Sequence, residues 1–230
     1  MSLAAHLREW IGAWPPRLPG LTVVASQVRA EPGWDGRTRD LLGAVDANGD
    51  GIITVVPQIH REVADLLHGE SAEVLDDRDL RATVGELTGG QGAVLGLGVL
   101  RWATEVDDDF EPIGVWLDHT DPRVPEWLEP FGGQALVVLD GDGEYGGGVG
   151  VKRHGPAGHE LSVVTHEDHR GKGWGARLVA TAARHELATV PVVTYLHGHD
   201  NTASARLADA VGFPDRGWQV LGVFGGERGE

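Results

Sequence analysis

A short stretch rich in glycine and positive charge is the part of the sequence best suited to chemistry. Residues 170–175 read Arg-Gly-Lys-Gly-Trp-Gly, between an apolar strand pattern that ends at Val164 and apolar residues at helical spacing from Leu178. At a helix start, several backbone N–H groups lack an intrahelical partner and the helix dipole is positive. Glycines let the backbone approach a ligand without a Cβ in the way. With Arg170 and Lys172, the stretch therefore predicts a loop that binds a diphosphate.

Other known phosphate loops fit this stretch less well. A P-loop needs Ser or Thr directly after its lysine, and here Lys172 is followed by Gly173. A dinucleotide loop has the pattern G-x-G-x-x-G, and the third glycine of this stretch, Gly175, comes one place too early. A glycine-rich helix start with only a structural role is the plain alternative.

The spacing Arg170-x-x-Gly173-x-Gly175 resembles the acyl-CoA loop of the GNAT superfamily of N-acetyltransferases. A second motif supports the resemblance, because residues 201–213, NTASARLADAVGF, are similar to the superfamily's N-x-x-[AS]-x-x-L-x-x-x-x-G-F ending. Two motifs in the right order, separated by one predicted helix and one predicted strand, are more specific than either alone. The resemblance covers about the second half of the chain.

This resemblance implies that acetyl-CoA is bound as co-substrate in a gap between two splayed parallel strands, 160–164 and 192–197. Backbone groups of the first strand would pair with the pantetheine arm, and the amides of residues 170–175 would hold the diphosphate. One amide near Thr165 would stabilise the oxyanion. The indole of Trp174 is expected to pack the helix start instead of stacking on adenine. The complete set of predicted cofactor-binding residues is Val163, Val164, Thr165, Arg170, Gly171, Lys172, Gly173, Trp174, Gly175, Asn201 and Ser204.

Three residues are candidates for catalysis: Glu160, His197 and Ser204. The attacking amine must lose a proton, and Glu160 on the first strand is the leading candidate base, ahead of His197 and His199. A strand-edge carboxylate in water is the structural alternative for Glu160. Many family members carry a tyrosine that protonates the departing thiolate, but its place here is Ala208, so Ser204 or water would substitute.

Asn201 has two readings that are compatible with each other. The resemblance suggests that its side chain binds the pantetheine arm. Its position immediately before a predicted helix also makes it a candidate N-cap, whose side-chain oxygen accepts a bond from a free helical amide.

The resemblance therefore implies an N-acetyltransferase that moves an acetyl group from acetyl-CoA to a primary amine by direct attack. The acceptor would be a small molecule or a protein, recognised mainly by residues 118–133. Acidic side chains there favour a cationic acceptor, although a solvated helix face explains them equally well; they are Asp118, Asp121, Glu126 and Glu129. The missing tyrosine keeps open a non-catalytic acyl-CoA-binding regulatory module. A homodimer, common in the family, also stays open.

The elements needed to position these residues predict an α+β fold. The second half reads as strand, helix, hairpin, strand, glycine turn, helix, strand, helix and strand, which is the GNAT order of a mixed central sheet flanked by helices. We expect a GNAT-like domain at 109–230 after an N-terminal α/β region of unknown role at 1–108. The order of hairpin, helix, helix and strand in that first region is compatible with a degenerate GNAT-like half.

Composition limits the classes of partner. The 230 residues include 19 Lys and Arg against 35 Asp and Glu, a net charge of -16, which argues against nucleic-acid or membrane binding. No cysteine is present, so disulfides and thiolate metal sites are excluded. The first residues lack the pattern of a signal peptide, and no apolar run approaches the ~20 residues of a membrane span. A cytoplasmic location is expected.

Two features imitate metal sites, and no metal is predicted. Residues 46–51 read Asp-Ala-Asn-Gly-Asp-Gly, like the start of an EF-hand loop, but Pro57 stands where the bidentate Glu belongs. Flanking strand patterns favour a hairpin turn instead. The chain has 11 histidines, yet none falls into a recognised zinc-binding spacing.

Overall fold

The computed structural model describes residues 2–107 and 109–225. Its regular elements alternate short strands with five α-helices in the described part of the chain. In order they are α1 Ser2–Ile11, β1 Leu21–Ala25, β2 Leu41–Val45, β3 Gly51–Val55, α2 His60–Leu67, α3 Arg78–Gly89, β4 Val94–Ala103, β5 Val115–Asp118, β6 Gln134–Leu139, β7 Tyr145–Gly155, β8 Gly158–Thr165, α4 Trp174–Leu187, β9 Val193–His197, α5 Thr202–Ala210 and β10 Trp218–Phe224.

The chain divides into two compact units. Of the described residues, the first unit holds 3–100 and 216–225, and the second holds 101–107 and 109–215. This division differs from a single boundary at 108/109, because β10 pairs with β2 and β4 of the first unit. The glycine-rich and charged end of the sequence, 225–230, predicts a loose tail, and residues 226–230 of it lie outside the described residues. No helix within 2–107 and 109–225 is both long and apolar enough to cross a bilayer.

A mixed sheet forms the first unit, with strand order β1-β3-β2-β10-β4. Strands β1 and β3 run parallel, while β2–β3, β10–β2 and β10–β4 are antiparallel. Apolar side chains of α2 and α3, such as Val63, Leu67 and Val84, pack on this sheet in one buried cluster. Asp77 is the N-cap of α3, since its carboxylate accepts from the amides of Asp79 and Leu80.

The turn between β2 and β3 is a tight hairpin turn, as predicted for the calcium-like segment. One carboxylate oxygen of Asp46 accepts hydrogen bonds from the amides of Asn48 at 2.8 Å and Asp50 at 3.1 Å. Gly49 adopts a φ of 84°, which glycine tolerates and most residues do not. The turn therefore uses its first acidic side chain to hold its own backbone.

The second unit contains a five-strand sheet in the order β9-β8-β7-β6-β5. The pairs β5–β6, β6–β7 and β7–β8 are antiparallel, and β8–β9 is parallel. Helices α4 and α5 cover one face, where Leu178, Val179 and Ala208 join the inward side chains of the strands in one buried cluster. Strands and helices thus combine as the predicted α+β fold with a mixed sheet, which is confirmed.

A smaller apolar cluster covers the other face of this sheet. Leu128 and Phe131 lie on a 3-10 helix, Glu126–Phe131. The sequence, with Pro122 directly after Asp121 and apolar residues up to Phe131, predicts a short helix that starts at Asp121, and this prediction is wrong. Pro125 before this segment and Pro130 within it prevent regular α-helical hydrogen bonding. The glycines of β7 admit these side chains, because a Cβ on Gly150 would lie 2.6 Å from the Phe131 ring.

The packing of Gly146 against Trp174 yields the first prediction. A Cβ at Gly146 would lie 2.2 Å from Cζ3 of Trp174, so Gly146→Ala should destabilise the protein by about 1–3 kcal/mol through overpacking. Thermal and denaturant unfolding measure the effect. Gly141→Ala is the matched control, since a Cβ there meets nothing within 4 Å. Equal unfolding midpoints for the two variants would refute the assigned packing.

Candidate active site

The predicted phosphate loop forms a glycine turn at the start of α4. A 3-10 turn, Glu167–His169, leads from β8 into it. Gly171 and Gly173 have φ of 74° and 77°, and Gly173 is the left-handed N-cap of α4. Gly175 has a different reason to be glycine, because a Cβ there would lie 2.9 Å from Leu207 and 3.2 Å from the Thr165 hydroxyl. Two glycines thus shape the turn and the third allows close packing.

The loop presents a row of backbone amides. Within residues 2–107 and 109–225, the amides of residues 171–175 donate to no carbonyl oxygen, and the first bond of α4 runs from Arg177 N to Gly173 O. The amide of Arg170 is different, because it donates to Glu167 O at 3.2 Å. The predicted row of donors is therefore corrected at its first member and begins at Gly171. Such a row at a helix N-terminus can bind an anion.

Charged and aromatic side chains surround the turn. Nζ of Lys172 lies 3.3 Å from Nδ1 of His169, whose ring stacks on Trp174 with centroids 4.5 Å apart and an interplanar angle of 6°. Asp140 lies 3.6 Å from Nε2 of the same histidine. The indole of Trp174 therefore packs the helix start, as expected from the sequence. Arg170 is exposed, with Nε 3.4 Å from Thr165 O.

Strands β8 and β9 pair over only part of their length. Their register consists of His159 with Val193, Glu160 with Thr194, and Leu161 with Tyr195, while β8 continues to Thr165. Over residues 162–165, β8 keeps its ladder with β7 alone. The parallel strands thus part after Leu161 and Tyr195, in agreement with the gap that the family resemblance implies.

The direction of the backbone groups in this gap follows from two hydrogen bonds. His159 N donates toward β9, to Val192 O, whereas His166 N donates to Gly146 O at the start of β7. Because backbone groups alternate along a strand, odd-numbered residues of β8 point to the gap and even-numbered ones to β7. The backbone N–H and C=O groups of Val163 and Thr165 therefore face the gap, where a ligand could reach them. Val164 does not, and its carbonyl accepts from the Tyr145 hydroxyl at 3.2 Å.

The leading candidate base, Glu160, is buried in an ionic cluster. It is 2% exposed, pairs with the Lys152 ammonium and lies 3.1 Å from Nε2 of His154. Burial by itself would raise the pKa of Glu160, but Lys152 and His154 outweigh it and hold the pKa at about 2. A carboxylate with so low a pKa is a weak base near neutral pH, and its alternation with Leu161 places it on the face opposite α4.

The second candidate base, His197, has both ring nitrogens engaged. Nε of Arg101 lies 3.1 Å from Nε2 of His197, and since a guanidinium only donates, Nε2 must accept. Nδ1 lies 2.8 Å from Gly198 O and must carry the proton. Arg101 also binds Asp209 at 2.7 Å and Phe213 O at 3.2 Å. Sequence reasoning missed Arg101, whose only signal was a charged residue in an otherwise apolar strand.

The start of α5 brings the remaining candidates together. The Asn201 side chain caps the helix by accepting from the amide of Ser204 at 3.0 Å, so the N-cap reading is confirmed. Ser204 is half-buried, while Ala208 one turn later is fully buried. His199 is exposed. Ser204 and His197 thus flank the end of β9, and Glu160 lies apart from them across the sheet.

Comparison with known proteins agrees with this geometry. Residues 99–213, half of the 230-residue chain, match the family model described as "Acetyltransferase (GNAT) family". The protein therefore belongs to the GNAT family of acetyltransferases.

Individual relatives are more distant. A mycothiol acetyltransferase from Nocardioides sp. is 33% identical over 115 residues, which are 48% of this chain and 32% of that protein. The chain thus spans about a third of the length of this curated relative. A GNAT-family acetyltransferase structure from Novosphingobium aromaticivorans has a TM-score of 0.49 and 22% identity over 61% of this chain and 70% of its own. A GCN5-related N-acetyltransferase-like protein from Streptococcus suis has a TM-score of 0.45 and 16% identity, and the match covers 76% of this chain and 79% of that protein.

The buried Glu160 cluster yields a prediction about stability and pH. Glu160→Gln leaves Lys152 without its buried counter-charge, so the free energy of unfolding should fall by about 3 kcal/mol near neutral pH. The native pKa of about 2 lies below the ordinary 4.5, so this stabilisation is complete above pH 4.5 and is lost as the pH falls toward 2. Denaturant unfolding of both proteins across the acid range measures it.

The exposed Glu126 provides the control, because Glu126→Gln removes the same charge from a solvated side chain. It should change the unfolding free energy by at most a few tenths of a kcal/mol at any pH. A gap between Glu160→Gln and the wild type that stays constant from neutral to acid pH would contradict the assigned ion pair.

Proposed function

We propose that this protein is an N-acetyltransferase that transfers the acetyl group of acetyl-CoA directly to a primary amine. The observation that carries the proposal is the parting of β8 and β9 after Leu161 and Tyr195, with the free amides of residues 171–175 at the end of β8. A strand gap beside an anion-binding turn suits a long, flexible thioester that ends in a diphosphate. Membership of the GNAT family supports the same class of reaction.

Acetyl-CoA would be held by backbone groups in two places. The amides from Gly171 to Gly175 would bind the diphosphate, helped by the positive end of α4 and by Lys172. The backbone N–H and C=O groups of Val163 and Thr165 would form hydrogen bonds with the pantetheine amides, as they would with an added strand. Both sets of donors belong to the main chain, so their positions depend on the backbone alone and not on mobile side chains.

The chemistry would rest on placement and on one oxyanion donor. The nitrogen of the amine attacks the thioester carbon, and an amide at Thr165 would stabilise the negative charge that develops on oxygen. Holding the amine and the thioester together removes much of the entropic barrier. Since Glu160 and His197 are both engaged with protein partners, we propose that solvent accepts the proton of the amine.

The acceptor would bind on the sheet face that carries residues 118–133. Asp121 there is paired with Arg123 and Asp118 accepts from Thr120, so these two carboxylates are used locally. Glu126 and Glu129 are exposed and are the better candidates for attracting a cationic amine of a small molecule or protein. We further propose that the protein is cytoplasmic and has no nucleic-acid or membrane partner. We also propose that it can form a homodimer.

A second candidate function is a regulatory module that binds acyl-CoA without turnover. The buried Ala208 in the place of the usual tyrosine favours it, as do the engaged nitrogens of His197. Both functions need the same loop, and they differ only in whether the thioester is consumed.

Binding through the loop is tested with Gly173→Asp. The change puts a side chain and a negative charge where the diphosphate would lie, so the affinity for acetyl-CoA should fall at least 100-fold, about 2.7 kcal/mol. Calorimetry and the thermal shift at saturating acetyl-CoA measure it. Gly36→Asp is the matched control, because Gly36 has a φ of 74° and open space around it but lies in the first unit. Equal affinities in the two variants would refute the loop assignment.

Turnover separates the enzyme from the binding module. The purified protein is incubated with acetyl-CoA and a panel of primary amines, and free thiol is followed with a thiol-reactive dye. If the protein is an enzyme, thiol release should depend on the amine and should be absent in Gly173→Asp. Binding of acetyl-CoA with no amine-dependent release across small amines and lysine-containing peptides would favour the regulatory module.

A further inference from the structure

A groove beside the start of α4 takes no part in the proposed reaction. Its volume is about 470 Å³, which lies within the roughly 300–1,000 Å³ of small-molecule sites. Apolar side chains form much of its walls, among them Ile113, Val115, Leu139 and Trp174. In the described part of the chain, Arg177 is the one charged residue that lines it. The groove is therefore apolar and holds a single cation.

The groove exists because β5 does not follow β6 to its end. Val115 pairs with Val137 at the start of β5, while β6 continues beyond this pair. Gly114, just before β5, has a φ of 89°, and a Cβ there would lie 2.9 Å from Val137 O. The preceding chain lies against α4 instead, where Ile113 N donates to the Thr181 hydroxyl at 3.1 Å. The space between this segment and the end of β6 is the groove.

The guanidinium of Arg177 is fixed along one edge and available at its other end. Nε donates to Glu111 O at 3.1 Å and Nη2 to Pro112 O at 3.4 Å. Within residues 2–107 and 109–225, Nη1 makes no hydrogen bond. The Glu111 carboxylate lies 3.9 Å from Nη2 and is almost fully exposed, so this ion pair is weak. Arg177 is therefore a positioned cation with donors to spare.

These surroundings select a ligand with an apolar body and one negative charge. Val115 is 49% exposed, and covering it together with the other apolar walls is favourable. A carboxylate can accept hydrogen bonds from the free end of a guanidinium. An ammonium group would be repelled by Arg177, and a doubly charged anion would also lie near the Glu111 carboxylate. The match is thus to an apolar monocarboxylate.

We propose that this groove is a second small-molecule site, which binds an apolar monocarboxylate such as a medium-chain fatty acid. Nη1 of Arg177 donates to the carboxylate, and the apolar body covers Val115 and Trp174. The inference goes beyond the proposed acetyl transfer and does not depend on it.

This groove and the strand gap are different places in the second sheet. The gap lies between β8 and β9, whereas the groove lies at β5 and β6, and β7 stands between them. Trp174 contributes to the groove wall and to the glycine turn, but the amides of that turn belong to the backbone. A carboxylate in the groove and acetyl-CoA in the gap should therefore bind at the same time.

Calorimetric titration with octanoate tests the site, on the free protein and again at saturating acetyl-CoA. Octanoate should bind in both titrations with similar affinity. Octylamine, which has the same chain length and the opposite charge, should bind at least tenfold more weakly, a difference of about 1.4 kcal/mol. Arg177→Gln should weaken octanoate binding by at least the same factor, because it removes the charged donor.

Two matched controls place the binding in the groove. Arg184→Gln should leave the octanoate affinity unchanged, since Arg184 donates to Phe110 O at 2.6 Å and does not line the groove. Val115→Asp puts a carboxylate on the groove wall and should weaken octanoate at least tenfold. Val94→Asp is its control, because Val94 is a strand valine of similar exposure, 40%, in the first unit.

Three results would overturn this inference: no octanoate binding to the wild type, equal octanoate affinities in Val115→Asp and Val94→Asp, or displacement of octanoate by acetyl-CoA. Thermal unfolding verifies that each variant is folded. If Arg177→Gln does not fold, the pair of valine variants decides alone, because both side chains are exposed. Failure of the wild type to bind acetyl-CoA would overturn the proposed function only, since the titration of the free protein still tests the groove.

Discussion

The incomplete pairing of β8 with β9 is the constraint on which the site depends. β8 keeps its antiparallel ladder with β7 along its whole length, from Gly158 to Thr165. The end of β9 is held elsewhere, because Arg101 binds His197 and also the end of the α5 segment through Asp209 and Phe213 O. Each strand is therefore fixed by its own partners, and among the described residues the edge of β8 from residue 163 to residue 165 has no partner strand on the β9 side.

The same strand that opens the gap also delivers the glycine turn. β8 ends at Thr165, and from Gly171 to Gly175 the amides donate to no carbonyl oxygen of the described residues. Gly171 and Gly173 adopt left-handed backbone, a conformation in which successive amides can form a concavity that binds an anion. The chain carries a net charge of -16, so an anion at the proposed site would be attracted by local dipoles and not by the overall charge. The proposed site thus depends on backbone geometry.

Glutamate and histidine side chains, which commonly act in catalysis, stabilise the fold in this protein. Glu160 is buried with Lys152 and His154, and on the other face Glu186 lies 2.6 Å from His159. A buried carboxylate without such partners would be strongly unfavourable, so each has its counter-charge or donor. A carboxylate on the strand that leads into the glycine turn is consequently not sufficient to identify a catalytic base.

The sequence alone determined the features that depend on local order. Most strand and helix patterns could be predicted, as could the turn at 46–51, the Asn201 cap and the glycine spacing at 171–175, because each depends on residues within a few positions of each other. Only the tertiary structure decided which backbone groups face the gap and that Arg101 donates a hydrogen bond to His197. Those relations join residues far apart in the chain, and which partners meet is set by strand register and burial, which no local pattern encodes.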